Sequence, residues 1–133
     1  MIVFLDANVV IYAVESHPVF GVFAQTRIAA AMAAGDTFMI NDLVRMECLV
    51  LPIRTGKHLI QAQFRAFFAR SDVQVVPITP AVCDRAASIR ATFNFKAMDA
   101  LQLAAAVEHG ADVFLTADGR LKSFTGLTIE ILK

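Results

Sequence analysis

The stretch Met98-Asp99-Ala100-Leu101-Gln102-Leu103-Ala104-Ala105-Ala106-Val107-Glu108-His109-Gly110-Ala111-Asp112-Val113-Phe114-Leu115-Thr116-Ala117-Asp118 decides the fold. Alanine and leucine are strong helix formers. They predict a helix from Met98 to His109, closed by Gly110. Val113-Phe114-Leu115-Thr116 is short and continuously apolar rather than alternating, as expected of a strand buried on both faces. A helix feeding such a strand belongs to a βαβ unit. An acid stands at each end of this unit, Asp99 at the start of the helix and Asp118 just past the strand.

Reading outward, the same alternation fills the chain. Ile2-Val3-Phe4-Leu5 is a first buried strand, ending at Asp6, with Asn8 as a helix cap before Val9-Val10-Ile11-Tyr12. An alanine-rich helix is expected from Phe20 to Ala34, then a strand over Thr37–Ile40. Asn41 or Asp42 caps a helix carrying Val44, Glu47, Cys48 and Leu51, expected to end near Pro52. A further helix fits Lys57 to Ala69, and a strand Val73–Val76. Thr79-Pro80 is a strong start for a helix running to Phe93. Leu127 to Leu132 closes the set as the fifth strand. Strands separated by helices predict a single α/β domain over residues 1–133. It would be built of βαβ units, with a mostly parallel sheet and helices on both faces.

Composition narrows the function. The chain has 133 residues, 57% of them hydrophobic, and its 12 basic residues cancel its 12 acidic ones. At this length roughly two-thirds of the unfolded surface is buried on folding, enough for one core without disulfides. The apolar content excludes disorder, and zero net charge argues against a strongly basic nucleic-acid binder. Cys48 and Cys83 form no metal motif and read as two buried, reduced thiols. No apolar run approaches a membrane span and the N-terminus lacks a basic region before its apolar run. The expected location is cytoplasmic.

The acids carry the chemistry. In a parallel α/β sheet, ligands bind beyond the carboxyl ends of the strands. Asp6 follows the first strand and Asp118 the fourth. Glu47 lies in the helix after the second strand, and Asp99 opens the helix before the fourth. The fold can therefore gather four carboxylates at one edge. Without matching bases they would repel one another, and a divalent cation resolves that repulsion. Oxygen-only ligands point to Mg²⁺ or Mn²⁺ rather than zinc. His17, His58 and His109 have no ligand spacing. The phenylalanines read as core and interface rather than base-stacking platforms, and Met32, Met39, Met46 and Met98 as core filler.

Asp6-Ala7-Asn8-Val9, Glu47 after Asn41-Asp42-Leu43, Met98 to Ala106 and Thr116-Ala117-Asp118 resemble the four motifs of PIN-domain nucleases. The length resembles the VapC-type toxins of toxin–antitoxin modules. The resemblance covers essentially the whole chain, and Lys96 to Leu121 is its most specific part. It implies a single-domain, three-layer α/β/α sandwich around a five-stranded, mostly parallel sheet, and a metal-dependent endoribonuclease whose acids are Asp6, Glu47, Asp99 and Asp118, with Asn8 and Thr116 supporting them. Two positions depart from the pattern: Ala7 stands where a hydroxyl residue is common, and Ala117 where asparagine is common. Arg45, Lys96, Arg120 and Lys122 lie near the motifs and are candidates for holding RNA phosphates.

A second reading stays open, a non-catalytic PIN-like module that binds RNA or a protein partner. A receiver-like domain using Asp6 as phosphoryl acceptor lacks its second aspartate and its lysine. A dinucleotide-binding domain lacks G-x-G-x-x-G. The high apolar content predicts an exposed partner surface, with Phe20, Phe23, Phe64, Phe67 and Phe68 as candidates for contact with an antitoxin or a second copy in a homodimer.

Overall fold

In a computed structural model describing residues 1–133, five strands form one sheet. They are Ile2–Leu5 (β1), Thr37–Asn41 (β2), Val73–Val76 (β3), Val113–Thr116 (β4) and Thr128–Ile131 (β5), ordered β3-β2-β1-β4-β5. Every neighbouring pair is parallel. The continuous apolar runs become the centre: β4 is buried throughout, and β1 beyond its first residue. Register places Phe4 beside Met39 on one side and Phe114 on the other. The Phe4 and Phe114 rings stack 5.2 Å apart. The edge strand β5 is only half-buried, and its Glu130 is held by Arg27 at 2.6 and 3.1 Å.

The helices are Ala7–Val14 (α1), Gly21–Ala33 (α2), Asp42–Arg54 (α3), His58–Phe68 (α4), Pro80–Phe93 (α5) and Ala97–Glu108 (α6). Crossovers between parallel strands are right-handed. The run β1→β2→β3 therefore lays α1 to α4 on one face. The return to β4 lays α5 and α6 on the other. Packing agrees: α1 lies against α2, α3 and α4, while α5 lies against α6. This is the expected three-layer sandwich. No helix is long and apolar enough to cross a membrane.

Several local expectations are corrected. Asn8 does not cap α1. The helix starts directly after the strand, with Asp6 in the cap position, and the Asp6 carbonyl accepts from the Val9 amide at 3.0 Å. Asn41, rather than Asp42, caps α3 by accepting from the Val44 amide. Pro52 does not end that helix, which continues to Arg54. Proline removes one amide from the ladder, but only the final turn lies beyond it. There Thr55 and Lys57 bond back to the Leu51 and Pro52 carbonyls. Cys83 is exposed, and only Cys48 is buried. Met32 and Met46 are exposed rather than core filler.

The expected aromatic surface also moves. Phe64 and Phe68 are buried, Phe20 and Phe67 half-buried, and only Phe23 is exposed. The exposed apolar groups cluster instead on α3, at Met46, Val50, Leu51 and Ile53, and at Leu59 of α4. With 57% apolar residues the chain fills its core and leaves others exposed, several of them together on α3.

The stacked pair at the centre of the sheet sets the first test. Phe114→Ala should lower unfolding free energy by about 3–5 kcal/mol, the cost of a large cavity in a packed core. Urea denaturation measures this, and a loss below about 1 kcal/mol would contradict the central position of that ring.

Candidate active site at the carboxyl edge of the sheet

The chain leaves β1 toward β2 and β3, then returns to lay β4 on the opposite side of β1. A crevice opens where strand order reverses, beyond the carboxyl ends of β1 and β4. Asp6 stands at the end of β1, and its amide continues the ladder by donating to the Leu115 carbonyl at 3.0 Å. Its side chain makes no cap bond to α1. Instead Thr116 Oγ1 donates to Asp6 Oδ2 at 2.7 Å. The same hydroxyl accepts from the Asp118 amide at 3.0 Å. Thr116 is fully buried and Asp6 is 6% exposed. A hydroxyl that accepts from a backbone amide has its proton free for the carboxylate, so Asp6 is fixed in orientation.

Glu47 reaches this edge because α3 packs on α1. Val44 and Cys48 face the core, and Cys48 Sγ lies 4.0 Å from the Ala7 carbonyl. Asp99 sits in the first turn of α6. One turn later on the same helix, Gln102 is buried beside Glu47. Gln102 and Asn41 escaped the sequence reading as site residues. The available signal was an amide at i+3 from Asp99 in an otherwise apolar helix. Two of their atoms, Gln102 Oε1 and Asn41 Nδ2, are buried without a hydrogen-bond partner. Orphaned polar atoms of this kind are rare and call for a partner such as water or an ion.

The carboxylates feel one another. Burial pushes the Asp6 carboxyl up to about 6, with Asp99 and Asp118 adding to the rise and the Thr116 bond opposing it. Burial also raises Glu47, assisted by the charges of Asp6 and Asp99, with Gln102 pulling the other way. Asp99 is raised by burial and by Asp118, against Arg120 and Lys96. Asp118 goes the other way, because the Arg120 guanidinium holds it below the usual carboxylate range.

That guanidinium is the closest thing to a counter-charge here. Arg120 Nε lies 3.0 and 3.1 Å from the two Asp118 oxygens, and Nη2 lies 2.5 Å from Oδ2. Asp118 also accepts from the Arg120 amide, capping the 3₁₀ turn Gly119–Ser123. Arg120, Lys96 and Asp99 line one groove of about 350 Å³ with Phe93, Asn94, Phe95 and Ser123. Lys122 is exposed on the same 3₁₀ turn. Arg45 is committed elsewhere: it bonds Asp42 at 3.1 Å, lies over the Phe68 ring and lines a separate groove on α3. Asn8 is exposed and makes no side-chain hydrogen bond to an acid.

No three carboxylate, imidazole or thiol groups stand close enough together to hold a metal ion. The donor chemistry still suits a hard divalent cation. The set is all oxygen and carries four negative charges, and the orphaned Gln102 Oε1, itself an oxygen, belongs to the residue beside Glu47. Asp6, Glu47, Asp99 and Asp118 are the residues that would hold such an ion, and of these Asp118 is paired with Arg120.

The sign of the Asp6 shift generates a prediction. Its folded pKa of about 6 exceeds the unfolded 3.8, so the native state binds more protons between these values. Stability therefore falls as pH rises from about 4 to 6, by about 3 kcal/mol if Asp6 acted alone. In metal-free buffer at pH 7.5, Asp6→Asn should unfold at higher temperature than wild type. At pH 4 the two should nearly coincide. An Asp6→Asn protein less stable than wild type at pH 7.5 would contradict the charge penalty.

Comparison with known proteins follows the same outline. The sequence model of the PIN domain family matches residues 3–127. No curated protein matches by sequence. Among solved structures, the chain is similar to one from Rickettsia felis described as VapBC2 bound to a DNA fragment from their promoter. That match has 19% identity, a TM-score of 0.81 and complete coverage of both chains. It is also similar to Mycobacterium tuberculosis VapC20, described as a sarcin-ricin loop cleaving toxin. There the identity is 16% and the TM-score 0.72, over 95% of this chain and 98% of that one. A DNA-bound VapBC from Salmonella typhimurium matches with 18% identity and a TM-score of 0.69, over 98% of each chain. These likenesses share the fold, and with a family match spanning nearly its whole length, this chain belongs to the PIN domain family.

Proposed function

We propose that the protein is a Mg²⁺- or Mn²⁺-dependent endoribonuclease, acting as a toxin held in check by a cognate antitoxin. What supports this reading is that Asp6, Glu47, Asp99 and Asp118, from four separate stretches of the chain, act on one another's charge. Three of the four resist ionisation. An acidic cluster that destabilises its own fold is what a cation-loaded site requires. The family supports a nuclease. The fold neighbours described as an RNA-loop-cleaving toxin and as VapBC complexes support the toxin role, the RNA substrate and the antitoxin partner.

In this reading Asp6, Asp99 and Asp118 hold the cation, directly or through water, and Glu47 completes the set. The bound cation supplies charge to offset the scissile phosphate and its leaving oxygen. Thr116 is a positioning residue, aiming Asp6 Oδ2 through its 2.7 Å bond. Glu47, raised by burial, is suited to take a proton from the attacking water at its carboxylate oxygen. Arg120 and Lys96 stand beside Asp99 to meet backbone phosphates. With a cation on the acids, Asp118 would turn to it from Arg120, and the guanidinium would be free to meet an RNA phosphate. No serine or histidine nucleophile takes part.

The partner surface is best placed on α3. Met46, Leu49, Val50 and Ile53 line a groove of about 500 Å³ there, rimmed by Asp42, Arg45 and Arg54. An antitoxin segment or a second copy would cover it. One observation favours the alternative of a non-catalytic module: the Asp118 carboxylate is already matched by Arg120.

Cleavage assays separate the two. Purified protein is expected to cut RNA with Mg²⁺ or Mn²⁺ and to stop with EDTA. Asp6→Asn should slow it roughly 100-fold or more, the scale of losing one transition-state charge contact. Thr116→Val should weaken metal affinity about tenfold, as loss of a residue orienting a ligand does. RNA cutting that survives both EDTA and Asp6→Asn would refute the metal mechanism.

A further inference from the structure

The groove beside Asp99 has an aromatic wall. Phe93 ends α5, and Asn94 reverses the chain in a left-handed conformation with φ of 59°. Phe95 then folds back so that its ring stacks on Phe93 at 5.5 Å and 4°. Phe93 in turn meets Phe124 edge-on at 5.3 Å. Arg90 Nε donates to the Phe95 carbonyl at 3.2 Å and pins the connection. The result is a three-ring ladder braced from the core, since Phe124 is buried while Phe93 and Phe95 are only half-buried.

The ladder sits at a telling place. The next residue, Lys96, occupies the cap position of α6, and Asp99 follows in its first turn. Phe93, Phe95, Lys96, Asp99 and Arg120 all line the same groove of about 350 Å³. Its walls are thus an aromatic surface on one part and two cations on another, with a candidate catalytic acid between the elements that carry them. Both rings pack against the core, yet each keeps part of its surface open to a groove that also holds two cations.

We propose that Phe95, stacked on Phe93, is a nucleobase platform for an unpaired RNA nucleotide adjoining the scissile phosphate, with Lys96 and Arg120 receiving the flanking phosphates. Bases stack on aromatic rings whatever their identity, and backbone phosphates pair with lysine and arginine. The groove therefore selects single-stranded or looped RNA over a duplex, whose bases are already stacked. This site deepens the endoribonuclease reading and rests on it. It also assigns Phe93 and Phe95 a role that the sequence reading gave to core or interface.

The test is oligoribonucleotide binding to the full chain with Ca²⁺ in place of Mg²⁺, the RNA being checked on a gel for cutting, followed by fluorescence anisotropy. The probe is a short single-stranded RNA, compared with the same RNA carrying one abasic position scanned along it. For wild type, one abasic position should weaken binding about tenfold. Phe95→Leu should weaken intact RNA by a similar factor and become insensitive to that abasic position. Phe95→Trp should restore both behaviours, and matched melting curves establish that each variant folds. If wild type binds and cuts RNA but ignores every abasic position, or Phe95→Leu keeps its sensitivity, the platform is overturned while the nuclease reading stands. If wild type neither binds nor, with Mn²⁺ added, cuts RNA, the nuclease reading fails and the platform with it.

Discussion

The bond from Thr116 Oγ1 to Asp6 Oδ2 joins the two central strands at the point where strand order reverses. It is the only hydrogen bond given to the Asp6 carboxylate by a side chain, in a place where desolvation works against the charge. Everything around it follows from that constraint. β1 and β4 must be apolar to stay buried, so the first polar group on β1 appears only at its exit. α3 must lean on α1 for Glu47 to approach, and α6 must begin at the same edge for Asp99 to do so. A sheet that ended in neutral residues would be more stable and would have nothing to offer a cation.

The site's charges and the fold's stability are therefore opposed. Three acids sit above their ordinary pKa values, and one sits below because a guanidinium bonds it. Arg120 is the only base bonded within the set. The chain's exact balance of 12 and 12 conceals this segregation. Four of the 12 acids are the candidate site's, while Lys96, Arg120 and Lys122 border it. A divalent ion on the acids would leave the border positive toward a phosphate backbone. That is how a neutral protein can bind RNA.

Much of this was legible from residues. Continuous apolar runs gave the strands, because strands buried on both faces need no alternation. Thr79-Pro80 marked its helix start to the residue, since both side-chain capping and the proline ring act locally. The four acids stood out as charges at strand ends and helix starts. What stayed hidden depended on contacts between distant elements. Pro52 looked like a terminator, yet only one turn of helix remains beyond it. Phe64 and Phe68 look as exposed in sequence as Phe23, and only the packing of α4 against α3, α1 and β3 buries them. Asn8 lost its capping role because no loop separates β1 from α1. Arg45 lies near Glu47 in sequence but turns to Phe68. The orphaned atoms of Asn41 and Gln102 cannot be seen without the three-dimensional placement of their neighbours.

The central claim is that Asp6, Glu47, Asp99 and Asp118 form one site waiting for a divalent cation. Isothermal calorimetry with Mn²⁺ tests it most directly, run from pH 5 to pH 7.5 on wild type and Asp99→Asn. Saturable binding at pH 7.5 is expected, with proton release and weakening as pH falls through about 6, where Asp6 takes up its proton. Asp99→Asn should abolish or sharply weaken it. Absence of saturable binding at pH 7.5, or binding indifferent to both pH and Asp99→Asn, would contradict the account.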